Sequence, residues 1–199
     1  MDTKYSTEDD KLQQSLKNGI CGQFANLWDK KEFCDFTIVV GSKEFHVHKC
    51  ILSAQSSTFV TLLSDDEEVK VSNKLEIKDY SEEVVEDFLR CLYTGEIENE
   101  ENALELFSLA STFKVQQLQD LCIKYIARAL NNSNADNALQ LGCVYKSQKL
   151  VRACFDKIKE IFPGQQLAES LKDSPEALLE IVKAFKTCQL LNIRAKNSK

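Results

Sequence analysis

Histidine is nearly absent from this chain of 199 residues, which contains only His46 and His48. Any acid–base mechanism must therefore use these two imidazoles or carboxylates. The sequence also lacks a glycine-rich phosphate loop, a Gly-x-Ser-x-Gly nucleophile elbow and a His-Glu-x-x-His zinc motif. No set of side chains is placed for nucleophile, base and oxyanion roles, so we do not expect an enzyme, a cofactor or a small-molecule substrate.

Proline and glycine are also scarce, with 2 and 6 residues, and this favours long uninterrupted elements. No apolar run reaches the ~18 residues that a membrane span needs. Residues 1–10 lack the apolar stretch of a signal peptide. We therefore expect a cytoplasmic or nuclear protein without a membrane partner. The eight cysteines form no Cys-x-x-Cys pair, which is typical of small buried hydrophobic residues in a reducing compartment.

Charge is distributed unevenly along the chain, whose net charge is −6. Residues 1–100 carry 21 acidic and 11 basic side chains, whereas residues 101–199 carry 10 acidic and 14 basic ones. An acidic first half disfavours binding to nucleic-acid phosphates, which requires clustered lysine and arginine. The basic residues of the second half are spread along several predicted helices, which is typical of a solvated surface.

A hairpin followed by a helix is the most informative local pattern. Residues 36–40 form a β-branched apolar run that predicts a buried strand. Gly41 and Ser42 predict a tight turn, and residues 43–47 then alternate, with Phe45 and Val47 toward the core. The period next becomes helical, through Cys50, Ile51, Ala54 and Phe59.

This pattern resembles the core of the BTB/POZ domain family. The matching residues of the hairpin and helix are Asp35, Phe45, His48, Lys49, Ile51, Leu52, Ser56 and Phe59. The stretch from Phe88 to Gly95, which includes Tyr93, matches a second signature of that family. The resemblance implies an α+β fold, a small sheet flanked by helices, in which Asp35 and His48 are structural residues. It also implies protein partners.

The second half contains an internal repeat. Ala103, Leu104 and Leu106 recur 35 residues later, whereas Leu118, Cys122 and Ile126 recur 32 residues later, which predicts a three-residue deletion in the second copy. The second copy resembles the start of the BACK or three-box extension. The BTB-like segment and this extension together are similar to the half of the speckle-type POZ proteins that contains the BTB domain and the three-box. We predict an acidic tail at 1–14, a BTB domain at 15–130, a helical extension at 131–186 and a basic tail at 187–199.

An amphipathic helix precedes the hairpin and carries a large apolar face. In the BTB family a helix at this place packs across a dimer two-fold axis. The alternative is that it only covers the core of its own chain. The residues that we expect in a homodimer interface are Leu16, Ile20, Phe24, Leu27, Trp28, Lys49, Leu52 and Ser53.

The resemblance further implies a docking surface for the cullin-3 ubiquitin-ligase scaffold. The residues that we expect there are Leu62, Leu63, Asp65, Asp66, Val69 and Tyr93. In the family a hydrophobic-x-Glu triplet carries much of this contact, and it should fall at residues 67–69. This chain instead has Glu67 at the apolar position and Val69 at the acidic one, with Leu63-Ser64-Asp65 as a shifted, imperfect substitute.

Two functions follow from these patterns. The first is a homodimeric adaptor that links clients to a cullin-3 ubiquitin ligase, which the three-box-like helices favour. The second is a stand-alone module for homo- or hetero-oligomerisation, including with transcription regulators, which the altered triplet favours. Metal sites at His46, His48 and Cys50, or at residues 65–68, are minor alternatives because neither group has the spacing of known sites.

Overall fold

The computed structural model describes residues 19, 22–131, 133–161, 175–180 and 182. The predicted tails at 1–14 and 187–199, and two predicted interface residues, Leu16 and Ile20, lie outside this part of the chain. The chain divides into two compact units, Met1–Leu118 and Gln119–Lys199. This division falls within a helix, and the predicted domain boundary at 130/131 stays a prediction.

The first unit contains a three-stranded sheet in the order β2-β1-β3. Strands β1 (Phe36–Val40) and β2 (Lys43–Val47) are antiparallel, with Ile38 opposite Phe45, and β3 (Lys74–Glu76) is parallel to β1. Gly41 adopts φ 56° in the turn between β1 and β2, a conformation that glycine allows without a Cβ clash. The predicted turn and the inward placement of Phe45 and Val47 are therefore confirmed.

Helices surround this sheet. Helix α1 covers 22–30, and the next helices are α2 (Lys49–Gln55), α3 (Ser57–Asp65), α4 (Glu67–Ser72) and α5 (Glu82–Thr94). The predicted α+β class is confirmed. Cys50 was predicted on the buried stripe of α2, but it is exposed, and the buried positions are Ile51 and Leu52. Ala54 is exposed as well, so the buried face of α2 is shifted by one residue from the predicted one.

Ser81, which two acidic residues follow, predicts the start of a helix, and Gly95 predicts its end; the ends of α5 follow both signals. Ser81 caps the N-terminus, where its Oγ accepts a hydrogen bond from the Val84 amide at 3.3 Å. Gly95 adopts φ 74° after the last turn, and its N–H donates to the Cys91 carbonyl at 2.9 Å. Both features are short-range, so the local sequence is sufficient to specify them.

The sequence spacing of Asn102 and Glu105 predicts a capping pair at the start of a helix, and this prediction was wrong. Asn102 lies at the N-terminal end of α6 (Ala103–Thr112) but makes no side-chain cap. Its amide instead donates to Glu83 at 3.3 Å and to Asp87 at 3.1 Å on α5. The Glu83 and Asp87 carboxylates of α5 therefore hold the Asn102 side chain away from the N-terminus of α6. A 3₁₀ turn at Glu100–Asn102 precedes α6.

The second half is helical, as predicted. After α6 come α7 (Gln116–Ala129), α8 (Ala135–Val144) and α9 (Gln148–Ile161), with further helical residues at 175–180 and 182. No helix in these described ranges is long and apolar enough to cross a membrane.

The repeat is present, but its predicted deletion is wrong. Helices α6 and α8 each span ten residues, α7 and α9 each span fourteen, and both pairs are offset by 32 residues. The turns agree in detail: Lys114 and Lys146 have φ 55° and 52°. The Val115 amide donates to the Ala110 carbonyl at 2.8 Å, and Ser147 donates to Gly142 at 2.9 Å. The repeat is therefore uniform, with Ala103 equivalent to Ala135.

Candidate functional site

The first candidate site is the junction between β2 and α2, where His48 is buried. The His48 backbone N–H donates to the Tyr93 hydroxyl oxygen at 2.9 Å, and the Nδ1 atom lies 2.9 Å from the same oxygen. The Nε2 atom lies 2.7 Å from the Glu32 carbonyl oxygen. Because a carbonyl only accepts, Nε2 carries the proton, and Nδ1 therefore accepts from the Tyr93 hydroxyl.

Asp35 stabilises the same junction from the other side. Its Oδ1 accepts a hydrogen bond from the Lys49 amide at 2.8 Å, at the first residue of α2. A carboxylate here satisfies one amide that the helix itself leaves unpaired. This geometry agrees with the structural role that the resemblance implied for Asp35 and His48.

Tyr93 connects α5 to both α1 and the junction. Its ring lies 5.4 Å from the Trp28 ring and 5.7 Å from the His48 imidazole, centroid to centroid. Burial raises the pKa of the Tyr93 hydroxyl, which therefore stays protonated and can donate. The structure thus places Tyr93 inside this junction, buried within its own chain, and its predicted place in a cullin contact stays a prediction.

No nucleophile is activated at this junction. The Cys34 Sγ lies 3.9 Å from His48 Nε2, but that nitrogen carries its proton toward Glu32. Burial raises the pKa of the Cys34 thiol, so the thiol form is favoured. Among the described residues no group of three or more potential metal-ligating side chains is present, and six free cysteines are found there.

The second candidate site is the surface of α1. Phe24 is 40% exposed, whereas Trp28 is buried against Tyr93 within its own chain. Trp28 therefore fits the alternative in which α1 covers its own core, and Phe24 is the large apolar residue of α1 that faces outward. Of the other predicted interface residues, Leu52 is fully buried, while Leu27, Lys49 and Ser53 are half-buried. Trp28 and Leu52 are thus buried within their own chain, and their predicted place in a dimer interface stays a prediction.

The third candidate site is the surface of α3 and α4. Residues 67–72 form helix α4, whose N-terminus Asp66 caps by accepting from the Val69 amide at 3.0 Å. Val69 is buried, and Glu67, which is 82% exposed, pairs with Lys70 at 2.6 Å. Leu62 and Leu63 are half-buried and Asp65 is exposed. The apolar side chain of the expected triplet is thus replaced here by a solvated carboxylate.

Three features escaped the sequence analysis. The Ser56 Oγ donates to the Phe113 carbonyl at 2.5 Å and accepts from the Phe59 amide, and Phe113 stacks on Phe59 at 4.5 Å. Glu32 takes part in the junction between β2 and α2 through its backbone carbonyl, which no pattern of side chains reveals. Phe33 is 88% exposed and adopts φ 62°, in the left-handed region. The sequence around Phe33 gives no signal of this conformation.

Comparison with known proteins gives two findings. A family model of the BTB/POZ domain matches residues 24–130. A solved structure, the BTB domain of zebrafish PATZ1, is similar to this chain with 23% sequence identity and a TM-score of 0.49, covering 58% of this chain and 95% of that one.

Proposed function

Because this chain belongs to the BTB/POZ family, whose domains are protein–protein interaction modules, we propose that it homodimerises through the outer face of α1. The exposure of Phe24 supports this proposal, since the inner face of the same helix is already occupied by the contact between Trp28 and Tyr93. An aromatic ring that is left exposed beside an anchored helix face is the kind of residue that dominates interface energies. In this proposal the protein acts by binding and not by catalysis.

Sedimentation of the purified chain tests the dimer. We expect a dimer at micromolar concentration and a monomer for Phe24→Asp, because a charge placed at the centre of an apolar contact is desolvated without a partner. Gln23→Asp is the matched control, since Gln23 is also exposed on α1 and is next to Phe24. A monomeric wild-type chain, or equal dissociation in both variants, would contradict the proposal.

Of the two functions that the sequence suggests, the geometry favours the stand-alone oligomerisation module over the cullin-3 adaptor. Glu67 exposes a carboxylate where the adaptor requires an apolar side chain, and Val69 is withdrawn into the core. A carboxylate in an apolar docking pocket costs several kcal/mol if it is left unpaired.

The cullin-3 adaptor remains the second candidate function, because α8 and α9 continue the chain as the three-box extension would. Exposed Val60, with half-buried Leu62 and Leu63, leaves apolar side chains on α3. Titration of the chain with a cullin-3 N-terminal fragment separates the two functions. No binding at micromolar concentrations supports the stand-alone module, whereas binding that Leu63→Asp abolishes and Lys78→Asp preserves supports the adaptor.

A further inference from the structure

Among the described residues, strand β2 pairs with β1 alone and therefore forms an open edge of the sheet. The Thr37 amide donates to Asn73, and the Val39 carbonyl accepts from Ile77, so the backbone groups of Thr37 and Val39 face β3. Because these groups alternate in direction along a strand, those of Ile38 face β2, where Ile38 pairs with Phe45.

The backbone groups of Glu44 and His46 consequently face away from the sheet. Among the described residues, no hydrogen bond from another element reaches the amide or carbonyl of either residue. Two donors and two acceptors are therefore presented in the alternating geometry of a strand. An unpaired edge of this kind is a template for the addition of another strand.

A groove of about 290 Å³ runs beside this edge. It is lined by Trp28, Asp29 and Lys31 at the end of α1, by residues 43–46 of β2 and by Glu86 of α5. Pockets for drug-sized ligands start at roughly 300 Å³ and are mostly larger. The groove is therefore at the small end of this range, a size that suits one large side chain of a peptide.

The two lysines that line the groove differ in their ion pairing. Lys43 forms an ion pair with Glu86 at 2.6 Å. Lys31 has no ion-pair partner among the described residues, and its Nζ lies 3.1 Å from the centroid of the Trp28 ring. Burial lowers the pKa of Lys31 although the charges of Glu86 and Asp29 in the groove oppose this shift, and an added carboxylate would offset more of the cost of desolvation. An acidic side chain is therefore the complementary charge at this end of the groove.

We propose that the edge of β2 binds an extended peptide of a partner protein as a fourth strand. The peptide residue opposite Phe45 places an apolar side chain in the groove, and a nearby residue on the same face places a carboxylate at Lys31. The peptide runs antiparallel to β2, so that the residues opposite Glu44 and His46 form the backbone hydrogen bonds and their side chains lie on the other face of the sheet. This binding does not depend on homodimerisation.

Selection of linear peptides from a random display library on the full chain tests the proposal. We expect enriched peptides that alternate in polarity, with an apolar anchor and an acidic residue two positions away. Their synthetic versions should bind His46→Pro at least tenfold more weakly, because proline removes an outward amide that the β1–β2 pairing does not use. His46→Val keeps this amide and should bind within twofold of the wild type.

Two further measurements keep the test decisive. Lys31→Glu should weaken the peptides at least fivefold, while Lys30→Glu, a change of the neighbouring exposed lysine, should leave binding within twofold. If His46→Pro does not fold, N-methylation of the peptides replaces it: methyl groups opposite Glu44 and His46 should abolish binding, and one opposite Phe45 should not. The proposal fails if no peptide is enriched, if His46→Pro and His46→Val bind equally, or if the methylation pattern does not alternate.

Discussion

The turns that follow α6 and α8 share one backbone conformation but have different surroundings. Phe113 and Tyr145 both adopt φ −89° and ψ 4°, and each is followed by a lysine in the left-handed region. Phe113 is buried at 6% exposure against Phe59 and Phe88, whereas Tyr145 is half-buried and Val144 beside it is 64% exposed. The local sequence thus sets the shape of the turn, and the neighbouring elements decide how much of it is buried.

The largest difference between the two turns should appear when the aromatic residues are removed. Phe113→Ala is expected to lower the free energy of unfolding by about 3–5 kcal/mol, because it empties a packed site between two phenylalanine rings. Tyr145→Ala should lower it by about 1 kcal/mol, since the ring is partly solvated. Urea unfolding of both variants measures these values, and equal losses would show that burial does not distinguish the turns.

The next effect concerns the spacing of α8 and α9. A Cβ at Gly142 would lie 2.7 Å from Val151 Cγ2, and the equivalent residues of the first copy are Ala110 and Gln119. Gly142→Ala should lose about 1 kcal/mol of unfolding free energy, because overpacking exceeds the gain in helix propensity. In a Val151→Ala background the same change should instead stabilise by about 1 kcal/mol. The double-mutant cycle by urea unfolding checks this reversal, and an unchanged sign would refute the steric explanation.

The buried thiols allow a comparison by pH. Burial raises the pKa of Cys154 to about 12, from an ordinary value near 9. Above pH 9 the unfolded chain loses this proton while the folded chain keeps it, so stability falls as pH rises. Between pH 9 and pH 10 the wild type should lose about 1 kcal/mol more than Cys154→Ala.

Urea unfolding under reducing conditions at both pH values measures this loss. Cys122→Ala, at the equivalent buried position of the first copy, provides the matched comparison. Identical pH slopes in the wild type and Cys154→Ala would contradict the expected titration.

The smallest effect should be the same in both copies. Lys114→Gly and Lys146→Gly are each expected to raise the free energy of unfolding by about 0.5–1 kcal/mol, since glycine adopts the left-handed conformation without a Cβ penalty. Because the two φ values differ by only a few degrees, the two gains should agree within about 0.3 kcal/mol. Thermal and urea unfolding of both variants test this, and a gain in one copy alone would show that the turns are not equivalent.

Features that depend on short-range interactions were predicted from the sequence, whereas features that depend on long-range interactions were not. The caps at Ser81 and Gly95 and the turn at Gly41 depend on a few neighbouring residues, and all three were predicted. The bond from Ser56 to the Phe113 carbonyl joins residues 57 positions apart, and no local pattern reveals it. Asn102 shows the reverse case, because distant carboxylates on α5 overrode a valid local capping signal.

The error in the repeat has a geometric origin. A shift of three residues rotates a helix position by roughly 300°, which returns an apolar residue to nearly the same face. Leu104 and Leu106 therefore matched Leu139 and Leu141 about as well as the true register did. The turn residues Lys114 and Lys146 fix the register, since a left-handed conformation occurs at one place in each copy.

The open edge of β2 has a consequence for how tightly a client would be held. Only Glu44 and His46 turn their backbone groups outward, so one peptide gains at most four main-chain bonds. With each bond worth about 0.5–1.5 kcal/mol, and the entropy of ordering the peptide to overcome, a single engagement would be brief. A paired assembly of two chains would instead offer two such edges to a client with two motifs, and the second contact would then benefit from a high effective concentration.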